Sequence, residues 1–450
     1  MTVTTADSAP RERGRLLQIL GVAFGLAVIV GNAIGIGILR TPGEVAAHLP
    51  DADWFLGAWI LGGCYALLGA LTLAELGAML PRSGGQYVFA RRALGDYAGF
   101  VVGWSDLISS CGALAVVTMS IGDYAGALLP PLAPYSVTIA VGATLCFTIV
   151  HALGIRTGDL TQQITTLIKV LVLVGLGVAC LVATVPARPV APVVAHVLPG
   201  FTAIIVALQG VIYTYDGWNG MLYFSGEVRD PGRQIPRAMA GGVLLIIGIY
   251  LLLNLAYLHV LPIERIAGQS LVAATAAREV FGPSGETIVR VVVILSLLSA
   301  ASAILLIASR VPYAMSEDGL FWGVMRRVSL SGTPVPALLL SALITTGLLL
   351  SGTFDQVLAV TAFLYVLNYL LSFVSVLVLR RREPDTPRPY RGPGYPVIPW
   401  LLVVGALGFL IGNVAGDPSN SRWTLALLAL SYPVFRLSHG ARSREARPPA

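Results

Sequence analysis

Charge is scarce in this chain. Only 12% of its 450 residues are Asp, Glu, Lys or Arg, about half the share usual in soluble domains. Apolar residues make up 56%, and runs of about 20 of them, the length that crosses a bilayer, recur along the whole length. A soluble fold is therefore excluded in favour of a polytopic membrane protein. Cysteine is also rare. Cys64, Cys111, Cys146 and Cys180 all lie in apolar segments without metal-ligand spacing, so they read as buried free thiols. The five histidines are scattered near segment ends, which argues against a metal site. No H-E-x-x-H occurs and His, Asp and Glu do not cluster, so an acid/base or metal centre of a membrane enzyme is not expected. The net charge of +6 comes without a basic stripe interleaved with aromatics, which excludes a nucleic-acid partner. No cleavable signal peptide is evident, because the first apolar run is too long for one.

The apolar segments read as helices at 16–48, 54–80, 97–125, 136–154, 163–185, 200–226, 239–260, 287–310, 335–351, 356–380, 397–414 and 422–437. Twelve spans place both termini on one side, and arginine decides which. Arg11, Arg13 and Arg15 precede the first span; Arg82, Arg91, Arg92, Arg156, Arg229, Arg233, Arg237, Arg326 and Arg327 fill connections on the same side. Arg380, Arg381, Arg382, Arg388 and Arg391 follow the tenth span, and Arg442, Arg444 and Arg447 close the chain. The connections at 49–53, 126–135 and 352–355 contain no arginine. The expectation is cytoplasmic tails at 1–15 and 438–450 around one membrane domain, 16–437, in the plasma (inner) membrane.

Two spans are interrupted. The first contains "VIVGNAIGIGILRTPGE" (28–44), with Gly31, Gly35 and Gly37 where a helix should be most regular. Small residues also serve close helix packing, so this stretch alone is ambiguous. The sixth contains "ALQGVIYTYDGWNGMLYFSGEV" (207–228), with Asp216-Gly217 at its middle, a turn signal and a costly charge. Breaks five spans apart are the pattern of an inverted-repeat transporter, whose discontinuous helices build the substrate site. A half-helix start offers N–H groups to a carboxylate, and a half-helix end offers carbonyls to an ammonium. The pair suits a zwitterion.

"GNAIGIGILRTPG" (31–43) resembles the first-helix signature of the amino acid–polyamine–organocation superfamily. "YTYDGWN…GEVRDPGRQIPRAM" (213–239) resembles its sixth helix and following loop. "AELGAMLPRSGGQYVFARRALG" (74–95), "SRVPYAMSEDG" (309–319) and "RRREPDTPRPYRGPGYP" (380–396) match further stretches in the expected order. The closest flavour is the L-type amino acid transporter branch and its bacterial relatives. The resemblance implies an all-α, LeuT-type 5+5 inverted repeat, 16–185 and 200–380, with two extra C-terminal helices at 397–437. It implies amino acid transport by alternating access without a chemical cofactor.

Carried over by position, backbone amides of Gly35, Ile36, Gly37 and Ile38 should hold the substrate carboxylate. Carbonyls of Ala33, Ile34, Tyr213 and Asp216 should hold the ammonium. Tyr213 matches a gating aromatic and Asn219 a polar residue near the ligand. Ile36 departs from the usual Ser or Thr, which loses a hydroxyl contact. Asp216 reads either as a cap on the second half of helix six or as a partner of the ammonium. The one lysine, Lys169, lies in span five and either snorkels or, as the resemblance implies, stands where sodium-coupled relatives hold sodium. There it would bridge helix one to Ser299 and Ser302 of helix eight, as a proton-coupling group or a fixed tether. Glu75 reads as a structural hydrogen-bonding group, with a proton relay as its other role; Asp106 stays unassigned. Neutral amino acids lead as substrates over cationic amino acids or polyamines. A channel fits less well, since no charge rings or repeated filter sequence appear. Animal L-type relatives join a heavy chain through a cysteine after helix three; 120–135 has none, so no disulfide-linked partner is expected.

Overall fold

The computed structural model describes residues 16–184, 200–351, 354–416 and 418–445. The arginines of the N-terminal tail, and Arg447, lie outside them. The helices follow in order: α1 (Val22–Ala33), α2 (Gly37–His48), α3 (Ala52–Met79), α4 (Gln86–Leu94), α5 (Asp96–Leu128), α6 (Ser136–Ala152), α7 (Ile155–Val182) and α8 (Phe201–Tyr215). A 3-10 segment, Gly220–Glu227, leads to α9 (Pro231–Val260), α10 (Ile263–Ile266), α11 (Val272–Phe281), α12 (Gly285–Glu317), α13 (Val335–Ser351), α14 (Phe354–Arg382), α15 (Val397–Gly416) and α16 (Pro418–Glu445). Among the described residues, eight helices are long and apolar enough to cross a membrane, or nine if the bent pair α1 and α2 counts as one span. The chain is a multi-pass, all-helical membrane protein. The last helix runs on to Glu445, past the expected end at 437.

Backbone polar groups have no water to turn to in hydrocarbon, so helices dominate. Burial then sorts them. From Ser296 to Ser316, α12 is buried on almost every side, as a helix apolar all round must be. It packs along α5, while α9 packs on α1, α3 and α7, and α14 on α5 and α15. Of the cysteines, Cys111 and Cys180 are buried, but Cys64 and Cys146 are exposed on the outer surface and are not core thiols. All four are free.

Two carboxylates inside the bundle are held in ion pairs. Arg310 on α12 donates from Nε and Nη2 to Glu227 at 3.1 and 3.0 Å, with both side chains fully buried. The Arg310 guanidinium also stacks 4.7 Å from the Phe224 ring centroid. Glu75 on α3 is likewise anchored. It accepts from Arg380, and from the Gly392 N–H at 2.7 Å, and pairs with Arg388 at 3.2 Å. Glu75 therefore ties the 383–396 connection to the membrane domain.

Arg310→Met strands the Glu227 carboxylate and should destabilise the fold by about 3–5 kcal/mol. Removing both charges, in Glu227→Gln/Arg310→Met, should cost less than Arg310→Met alone. Thermal unfolding in detergent compares the two.

Candidate functional site

The two interruptions lie side by side. Residues 34–36 are not helical, and the axis turns by 48° between α1 and α2. On the other side α8 ends at Tyr215, Asp216 is extended at φ −56° and ψ 151°, and Gly217 takes φ +105°. Only glycine adopts that backbone without strain. A Cβ on Gly217 would also lie 2.8 Å from the Ala33 nitrogen, so the two breaks are in near contact. The Asn32 amide donates to the Gly217 carbonyl at 3.4 Å.

Freed carbonyls need donors in this medium. Lys169 Nζ, 1% exposed, donates to Gly31 O at 2.8 Å and Ile34 O at 2.5 Å. The Tyr250 hydroxyl on α9 lies 2.8 Å from Thr214 O and 3.0 Å from Ala33 O, so its proton is shared between both breaks. Two more groups from α7 join them. Thr166 Oγ1 and Gln162 Nε2 donate to Ala27 O at 2.9 and 3.1 Å. Gly31 makes room for this: a Cβ there would meet Gln162 Nε2 at 2.1 Å.

The N–H side is open. Gly35 N–H is spent on Ala33 O at 3.0 Å. The N-cap of α2, Ile36, supplies no side-chain cap, and the N–H groups of Ile36, Gly37 and Ile38 find no acceptor among the described residues. Ile36 and Gly37 border a cavity of about 110 Å³. Its walls come from both breaks (Gly35, Ile36, Tyr213, Asp216) and from α5, α12 and α14 (Ser120, Ile304, Tyr365). Gly35 has nothing within 4 Å of an added Cβ, so the space beside it is the cavity itself. Among the described residues, Asp216 is the only acidic or basic side chain in the lining. It accepts from the Tyr369 hydroxyl at 2.5 Å and from the Gly217 backbone.

A second, larger cavity of about 330 Å³ lies beyond, between α3, α14 and α15, with an apolar wall including Phe373, Leu401 and Phe409. Tyr213, Asp216 and Tyr365 line both spaces. Tyr213 thus stands at a partition, where a ring rotation changes the room available.

The positions expected from sequence are now placed. Ala33, Ile34, Gly35, Ile36, Gly37, Ile38, Tyr213 and Asp216 gather at the paired breaks, but the Ala33 and Ile34 carbonyls already accept from Tyr250 and Lys169. Asn219 sits below the break and donates to the Tyr223 hydroxyl at 3.5 Å, away from the cavity lining. Ser299 bonds Thr166 at 3.0 Å, and Ser302 faces His151 at 3.3 Å, so neither hydroxyl partners Lys169. Their spacing set the face of α12, but not which neighbour it met. Tyr250, Tyr365 and Tyr369 were missed altogether. A tyrosine inside an apolar run carries no signal of what its hydroxyl reaches.

The arginine-rich end below the site is closed. Asp318 at the end of α12 takes Arg82 and Arg91, both at 2.8 Å, and the Tyr87 hydroxyl at 3.0 Å. Leu20 pairs with Val228 in a short parallel bridge, and Gly84 N–H donates to Tyr223 O at 3.1 Å. At the opposite end, a cavity of about 850 Å³ is lined by Arg40, Arg265, Arg278 and Arg290 with Glu279 and Glu286. That end is thus less poor in arginine than the short connections suggest.

Residues 20–433 match the model of the amino acid permease family. The chain belongs to that family. Its relatives agree over nearly the full length. It is 28% identical to the serine/threonine exchanger SteT of Bacillus subtilis, over 97% of this chain and 99% of that one. It is 28% identical to the b(0,+)-type amino acid transporter 1 of Mus musculus, covering 92% and 86%. The Asc-type amino acid transporter 1 of Homo sapiens is 26% identical, over 96% and 84%. This permease therefore lies with the L-type branch and its bacterial relatives within the superfamily, and it is an amino acid transporter rather than an enzyme.

Tyr250→Phe removes the donor of Thr214 O, leaves Ala33 O only the Gly35 N–H, and should cost the permease about 1–3 kcal/mol. Gly217→Ala adds backbone strain and a clash and should cost more than Tyr250→Phe. Melting in detergent ranks the pair.

Proposed function

We propose that this permease is a secondary transporter of small neutral amino acids, independent of sodium and working by alternating access. The observation that carries this is the pairing, at one small cavity, of unpartnered α2 N–H groups with a wall holding a single charge already bonded by tyrosine. The N–H groups suit a carboxylate. The ammonium is assigned to the ends of α1 and α8, at the Tyr213 and Asp216 carbonyls, of which the Tyr213 one also takes the Asp216 N–H at 3.1 Å. A volume of about 110 Å³ favours side chains no larger than those of alanine, serine or threonine. The substrates named for the Bacillus relative, serine and threonine, agree with that size. Cationic amino acids and polyamines are not favoured, since Asp216 was their one support.

Lys169 acts as a tether. Its ammonium is held between the last turn of α1 and the break, where an ion would otherwise be needed to quiet the same carbonyls. Alternating access follows from the closed end: releasing Asp318 from Arg82, Arg91 and Tyr87 frees α4 to part from α12, while Arg310 keeps the 3-10 segment on α12 through Glu227. The arginine-rich end faces the cytoplasm of the plasma (inner) membrane, by the excess of arginine there. Twelve spans in two inverted repeats and two further helices complete the arrangement, with both termini inside.

Purified protein in liposomes should take up labelled serine in counterflow, with threonine and alanine competing and arginine and putrescine not. Indifference to every neutral amino acid would overturn the reading. Lys169→Ala should lower uptake by about tenfold or more, the equivalent of losing one charge-assisted hydrogen bond.

A further inference from the structure

Asp106 on α5 has no part in the reading above. Its side chain is fully buried, and its Oδ2 accepts no hydrogen bond. Its Oδ1 accepts from the Tyr223 hydroxyl at 2.9 Å. One turn along α5, the buried Ser110 hydroxyl stands close to the Asp106 carboxylate and to the Tyr365 hydroxyl, without an ordinary-length hydrogen bond to either. Tyr365 lines the substrate cavity. On the other side, Tyr223 accepts from Asn219 at 3.5 Å and lies 3.4 Å from the Gln86 amide oxygen, on the helix next to the closed end. A file of hydroxyls thus runs from the substrate cavity, through a carboxylate, to the arginine-rich end.

Among the described residues, no cation offsets that carboxylate. On α12, Arg310 is committed to Glu227. Lys169 on α7 is committed to Gly31 and Ile34. His151 on α6 faces Ser302, and Tyr87 on α4 is turned to Asp318. From α13, Ser341 and Thr345 meet the neighbouring Cys111, and α16 offers Trp104 the Leu427 carbonyl. From α14, Asn368 meets Ser105 and Tyr369 meets Asp216, a carboxylate whose charge opposes a charge on Asp106. A buried carboxylate with no counter-charge is too costly in hydrocarbon to persist alone.

We propose that Asp106 is the proton-carrying group of this permease, making it a symporter of one proton with each amino acid. This rests on the transport reading but not on the identity of the substrate. A proton from the outer side enters at Tyr365 and passes to Ser110 as O–H hydrogens are exchanged along the file. It comes to rest on a carboxylate oxygen of Asp106. When the closed end opens and α4 parts from α12, water reaches the carboxyl group past Tyr223 and the proton departs to the cytoplasm. Each hydroxyl ends as it began, and nothing is oxidised or reduced. Asp106 couples the cycle and does not touch the substrate.

The test uses proteoliposomes with the membrane potential clamped and a pH-sensitive dye outside. Wild type should show counterflow of labelled serine. It should also show accumulation driven by an inside-alkaline gradient, approaching about tenfold per pH unit, with protons leaving the outer medium. Asp106→Asn keeps the shape and the acceptor for Tyr223. It should retain counterflow but lose both accumulation and proton movement. Proton-coupled uptake by that variant, or wild-type counterflow without proton movement, would overturn the proposal while leaving transport intact. Absence of wild-type counterflow would strike the transport reading itself. Should Asp106→Asn not fold, Ser110→Ala breaks the file at its middle. It should cut gradient-driven accumulation several-fold at unchanged counterflow, and undiminished coupling would overturn the proposal equally.

Discussion

Everything in this molecule turns on a few donors that satisfy carbonyls released inside the bilayer. A membrane helix can stop and restart only where something replaces the missing hydrogen bonds. Here the Lys169 ammonium and the Tyr250 hydroxyl do so, on α7 and α9, two helices that pack directly on α1. Because the donors come from the carbonyl side, the N–H side of the break is left unpaired. That imbalance is what makes the paired breaks a receptor and not merely a kink.

The same logic governs the charges. Glu227 with Arg310, and Glu75 with Arg380 and Arg388, are closed systems in which each carboxylate meets a guanidinium. They hold elements together that are far apart in sequence, and they leave little charge near the substrate. Asp216 and Asp106 differ, since each is met by tyrosine hydroxyls and not by a cation. Neutral partners hold a carboxylate in place without fixing its charge, which suits groups that face changing surroundings during a cycle. Asp318 works at the other extreme: it gathers two arginines and a tyrosine at an aqueous edge, where such contacts are individually weak and easily exchanged.

Much of this was legible beforehand. The membrane class followed from the scarcity of charge, and the interruptions from Gly31, Gly35, Gly37 and Asp216-Gly217, because glycine and Asp-Gly act through their own backbone. Lys169 stood out as a lone ammonium in an apolar run. Its partners did not follow as expected. The spacing of Ser299 and Ser302 placed them on one face of a helix, yet Thr166 and His151 reached that face first. Cys64 and Cys146 looked like core residues, although their sides of α3 and α6 lie on the exposed surface. An apolar run that is buried and one that meets lipid have the same composition, so the distinction is not written locally.

The sequence by itself determined that the chain crosses a membrane repeatedly, that two of its helices cannot be continuous, and where the single lysine stands. These are properties of short stretches, set by hydrophobic length and by the backbone freedom of glycine. Only the tertiary structure decided which carbonyls the lysine holds, which tyrosine joins the two breaks, and which carboxylates find a cation. Those contacts join residues far apart in the chain, 305 positions in the case of Glu75 and Arg380. Their energies depend on distances of a few ångströms in a medium without water, which helix packing alone supplies.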